Sequence, residues 1–111
     1  MANVHEGRSR TPWNDWNGGT TTATVTKAAA TGKINALSTL VYSTDKTKAI
    51  LTITGPTETH YLTLEDTNKS AQVVGAMRFE PPLEATEGTQ LSVTITGDSV
   101  CGLIAVGITY N

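Results

Sequence analysis

Between Gln90 and Thr96 apolar and polar residues alternate with a period of two, Leu91, Val93 and Ile95 on one parity and Gln90, Ser92, Thr94 and Thr96 on the other. Such alternation predicts a half-buried β-strand. The same pattern predicts a strand over 20–27, where Ala23 and Val25 oppose Thr22, Thr24 and Thr26. It recurs over 47–54, where Ala49, Leu51 and Ile53 alternate with Lys48, Thr52 and Thr54 while Ile50 falls out of phase. Shorter strands are expected over 60–64 and 72–80, the second with Val73, Met77 and Phe79 on one face. The segment 34–42 fits either a strand (Ile34, Ala36, Leu40, Tyr42) or two helical turns (Ile34, Leu37, Val41). Thr39, Val41 and Tyr42 favour the strand.

Turn-forming residues separate these segments at Thr31-Gly32, Ser43 to Lys46, Gly55-Pro56, Glu65 to Ser70, Glu87-Gly88 and Gly97-Asp98-Ser99. Pro81-Pro82 is expected to end any ladder, because neither residue donates a backbone hydrogen bond. The last segment, 100–110, is apolar on both parities: Val100, Ile104, Val106 and Ile108 on one, Cys101, Leu103 and Ala105 on the other. A strand buried twice is either central and overlaid by loops or part of a subunit interface. Both readings stand; in the second, Leu103, Ala105 and Gly107 form the oligomer interface, with glycine permitting close backbone approach. Seven or so short strands make an all-β, two-sheet antiparallel sandwich over 20–111, jelly-roll or immunoglobulin-like.

Residues 1–19 are polar and aperiodic, and read as an extended arm ahead of that domain. Both tryptophans, Trp13 and Trp16, lie there with Arg8 and Arg10. Tryptophan is large, costly to expose and enriched at binding hot spots. Three fates are open: folding back onto the sandwich, docking on a neighbouring protein with the arginines adding polar contacts, or stacking against sugar rings.

Composition narrows the function classes. Threonine makes up about a fifth of the 111 residues, and only 16% are charged, which favours strands over solvent-exposed helices. A formal charge of −2 with interspersed signs provides no basic field for nucleic acid. No stretch is long and apolar enough for a membrane span or a secretory leader, so synthesis in the cytoplasm is expected. A single cysteine, Cys101, excludes an internal disulfide and a cysteine-based zinc cage, and reads as a small buried hydrophobe.

Candidate chemistry dissolves on inspection. Gly97-Asp98-Ser99-Val100 superficially resembles a hydrolase nucleophile block but falls where a hairpin turn is expected. His5 and His60 have no second histidine at metal spacing, and Asp15 between Asn14 and Asn17 lacks the spaced carboxylates of a calcium loop. Asn68-Lys69-Ser70 matches a glycosylation acceptor only for a secreted chain. No enzyme activity, cofactor or metal is expected.

The run Met77-Arg78-Phe79-Glu80-Pro81-Pro82-Leu83, followed by Gly88-Thr89-Gln90-Leu91 and by Leu103-Ile104-Ala105-Val106-Gly107, resembles small β-sandwich virion proteins of tailed bacteriophages. The resemblance covers about the last third of the chain and concerns strand packing. It implies a capsid decoration (cement) protein on the virion surface, often trimeric, which binds the major capsid protein or another virion protein and stabilises the shell, frequently through an N-terminal arm. A carbohydrate- or receptor-binding module, as in a tail fibre, is the alternative.

Overall fold

The computed structural model describes residues 10–44, 48–55, 57, 59–65, 73–97 and 100–110. Eight strands are present: β1 (Arg10–Gly19), β2 (Thr22–Lys27), β3 (Ile34–Thr44), β4 (Lys48–Thr54), β5 (His60–Glu65), β6 (Val73–Glu84), β7 (Leu91–Gly97) and β8 (Cys101–Tyr110). They form two four-stranded antiparallel sheets, A in the order β1-β8-β3-β6 and B in the order β2-β7-β4-β5. The pairs β1–β8, β2–β7, β3–β6 and β4–β5 nest inside one another, as if one long hairpin had been rolled up. This is the jelly roll, and the choice left open by the strand count is settled by the pairing.

The core lies between the sheets. Ala23 and Val25 of β2, Leu91, Val93 and Ile95 of β7, and Ala49, Leu51 and Ile53 of β4 are all buried in it, as their alternation predicts. Sheet A contributes Leu37, Leu40, Cys101, Leu103 and Ala105. Cys101 is therefore a core residue, with Sγ near the Thr44 hydroxyl at 3.7 Å.

Three departures from expectation have physical causes. The ambiguity of 34–42 comes from a bulge: the register of β3 shifts between Leu37 and Thr39, against both β6 and β8. Before the bulge Asn35 and Leu37 point inward, and after it Leu40 and Thr44 do, so neither parity holds throughout. Ser38, the extra residue, donates its hydroxyl to the Val106 carbonyl at 3.0 Å. Second, β6 does not end at Pro81-Pro82. It is an edge strand, and its pairing jumps from Arg78↔Thr39 to Leu83↔Leu37, so the prolines fall in an interval of the ladder that needs no donor.

Third, residues 10–19 do not precede the sandwich as an arm. They are β1, paired with β8 from Arg10↔Tyr110 to Gly19↔Cys101. Gly18-Gly19 is therefore no domain boundary; it begins the corner that carries the chain from sheet A to sheet B. A Cβ on Gly19 would collide with the Thr22 carbonyl oxygen. Thr21 completes the corner at φ 110°, a strained conformation for a β-branched residue, and its carbonyl accepts the Gly97 N–H at 2.8 Å.

Asn35 fastens the end of the sandwich near the β2–β3 connection. Its buried Nδ2 donates to the Ala28 carbonyl at 3.0 Å, its Oδ1 accepts the Thr109 hydroxyl at 2.6 Å, and its backbone carbonyl accepts the Ala85 N–H at 2.8 Å. One polar side chain thereby ties the β2–β3 connection to β8, which is how a buried amide avoids the cost of lost hydration.

Candidate functional site

The residues proposed from the sequence as an interface, Leu103, Ala105 and Gly107, face the inter-sheet core and are all buried. Leu103 lies opposite Tyr42 and Ala105 opposite Leu40 on β3, which places them inward. The interface assignment is corrected accordingly: the outward face of β8 is Gly102, Ile104, Val106 and Ile108. Gly107 has its own reason to be glycine. A Cβ there would meet the Ala36 carbonyl oxygen and the indole of Trp13.

The two tryptophans part company because they sit on opposite parities of β1. Trp13, opposite Gly107, packs against the core rim, with Lys27 Nζ 6.0 Å from its ring centroid. Trp16, opposite Ile104, points outward and is 73% exposed. Arg10 is exposed at the start of β1; Arg8, His5, Asn68-Lys69-Ser70 and Asp98-Ser99 lie outside the described residues. His60 is exposed on β5, and among the described residues no three of His, Cys, Asp or Glu converge as a metal site would require.

The registers assemble the outer face of sheet A row by row. One row reads Trp16, Ile104, Val41, Ala76 across the four strands, and the next reads Gly18, Gly102, Ser43, Val74. The first is a ridge of large apolar side chains over β1, β8 and β3 that falls away at Ala76, with Ile104 47% exposed. The second carries no side chain larger than serine until Val74, so it forms a trough beside the ridge. Ridge and trough are about 7 Å apart, two residues along a strand. Together they shape a groove of about 300 Å³ between Trp16 and Val74, floored by Gly18, Gly102 and Ser43. Val106 extends the apolar surface, and charge enters at the margins: Arg10 at one strand end, and Glu84 and the Arg78–Glu80 pair, 3.0 Å apart, on edge strand β6.

Several features obstruct further strand pairing at the edges beside this face. Pro12 supplies no N–H, Asp15 Oδ1 accepts the Trp16 N–H at 2.8 Å, and Asn17 Oδ1 accepts the Thr24 N–H of edge strand β2 at 3.1 Å. Prolines and side-chain caps are how exposed sheet edges are kept from recruiting another strand.

No protein-family model matches the chain, and no curated protein matches it in sequence. Among solved structures it is similar to the core of Drosophila NLP, a structure described for pentamer formation and histone binding. The identity is 14%, the TM-score 0.51, and the match covers 85% of this chain and 96% of that one. At that identity the likeness is one of fold. It is also similar to the virus-like particle protein of extra small virus from the giant freshwater prawn Macrobrachium rosenbergii (11% identity, TM-score 0.45, 99% and 82% covered). A third likeness is to the module TmCBM61, solved with β-1,4-galactotriose (10% identity, TM-score 0.41, 96% and 84% covered). The class defined by fold and face is thus a small jelly-roll domain with one apolar outer surface.

Proposed function

We propose that the chain is a non-catalytic structural subunit of a virion, of the capsid-decoration kind, and that the outer face of sheet A is buried against a protein neighbour in the assembled particle. The observation that carries this reading is Trp16, largely exposed on β1 beside an apolar groove. A large aromatic flanked by aliphatic side chains, with charge confined to the rim, has the anatomy of a protein interface. A sugar site needs several fixed polar groups converging on the ligand's hydroxyls, whereas the lining of the groove is mainly apolar and carries no charged side chain.

The test uses assembled particles. A photoreactive amino acid replaces Ile104 in one variant and Thr94, on the outer face of sheet B, in another. The chain is expected to co-sediment with particles and to cross-link from position 104, but not from 94, to a protein subunit. Cross-linking from 94 alone would overturn the assignment of the face. Specific glycan capture abolished by Trp16→Ala would replace the reading with a carbohydrate-binding module.

A further inference from the structure

We infer that the neighbour on this face is a second copy of the same chain, related by a two-fold axis, with Trp16 of each copy seated in the groove of the other. This rests on the reading of sheet A's outer face as a protein interface and names the partner. Knob and hole lie in adjacent rows of one face: Trp16 stands on the ridge, and Gly18, Gly102 and Ser43 floor the trough next to it. Two such faces brought together by a two-fold rotation present each knob to the opposite hole, the self-complementarity that isologous pairing requires. A ring of three or more needs knob and hole on surfaces inclined to one another, but here both open in the same direction.

The size of the face agrees. Four strands at about 4.8 Å spacing and ten residues at about 3.3 Å rise give a footprint of roughly 600 Å². Two copies then bury about 1,200 Å², the lower bound for a stable specific interface. Edge-to-edge pairing is the competing route to a dimer. It is disfavoured by Pro12 and the Asp15 cap on β1, and by Pro81-Pro82 and the Arg78–Glu80 pair on β6.

Sedimentation velocity on the purified full chain, across a micromolar concentration series, tests this with two variants. Trp16→Ser removes the knob from an exposed position. Gly18→Val fills the hole, and its Cβ would lie at an ordinary 3.6 Å from the Cys101 carbonyl oxygen, so the strand accommodates it. Each variant alone is expected to dimerise at least tenfold more weakly than wild type while keeping its circular dichroism spectrum. Mixed together they retain one knob in one hole, so the mixed dimer is expected to be tighter than either variant dimer and weaker than wild type. A monomeric wild type at hundreds of micromolar, a trimer, or a mixture no tighter than its components overturns the two-fold pairing. Should that happen while position 104 still cross-links to a coat subunit in particles, the proposed function stands and only the partner changes.

Discussion

The outer faces of the two sheets are built from strands of equal β-propensity and reach opposite solutions. On sheet B, Thr22, Thr24, Thr26, Thr52, Thr54, Ser92, Thr94 and Thr96 make a mainly hydroxyl surface, with exposed Ile50 and Tyr61 towards the β4–β5 side. Some hydroxyls pair across strands, Thr24 with Thr94 at 3.0 Å and Thr26 with Ser92 at 3.2 Å. On sheet A the corresponding outward positions of β3 and β8 include Val41, Ile104, Val106 and Ile108. Threonine favours strands about as well as valine and isoleucine do. Strand formation therefore does not explain why the middle of one face is aliphatic and that of the other mainly hydroxylated.

The largest expected effect separates the two faces of β8 itself. Leu103→Ala, in the core, should cost about 2–5 kcal/mol in urea denaturation. Ile104→Ala, one residue on, should cost below about 1 kcal/mol in dilute monomer. Equal losses would mean that Ile104 is part of the core and would dissolve the contrast. Next in size, Asn35→Ala should destabilise by about 1–3 kcal/mol, because the buried Thr109 hydroxyl and Ala28 carbonyl lose their partner. The loss should be independent of protein concentration, unlike changes on the face of sheet A.

The double substitution Ile104→Thr with Val106→Thr makes sheet A resemble sheet B. It should change monomer stability by less than about 1 kcal/mol, yet abolish self-association in sedimentation. A dimer unaffected by it would place the contact elsewhere. The smallest effect is expected from Thr94→Ala, which removes one hydroxyl pair worth about 0.2–1 kcal/mol and should leave sedimentation unchanged.

What the alternation pattern revealed, and what it hid, follows from how many faces of a strand are distinctive. Strands β2, β4 and β7 have one aliphatic and one hydroxyl-bearing face, so both their existence and their orientation were legible. On β8 both faces are aliphatic, and only the register opposite Leu40 and Tyr42 shows that Leu103 and Ala105 point inward. The apolar excess of this strand was visible in the sequence, but the wrong parity was assigned to the interface. On β1 the inward positions are Thr11, Trp13, Asp15 and Asn17, of which only Trp13 is apolar, because the strand lies at the sheet edge. Period-two signals vanish there, and the strand read as an arm. The tryptophans were the one local clue; their division, one to the core and one to the surface, required the three-residue offset from Trp13 to Trp16 to be read on a strand, where it reverses the face.

The nested pairing of the strands also orders assembly in time. The innermost hairpin, β4 with β5, joins segments close in sequence, while β1 and β8 come from opposite ends of the described chain and carry the greatest loop-closure entropy. Trp16 and Gly18 belong to β1, Ile104 and Gly102 to β8. The apolar groove on the outer face of sheet A therefore comes into being only when the outermost pair closes, so a chain arrested part-way through folding lacks it.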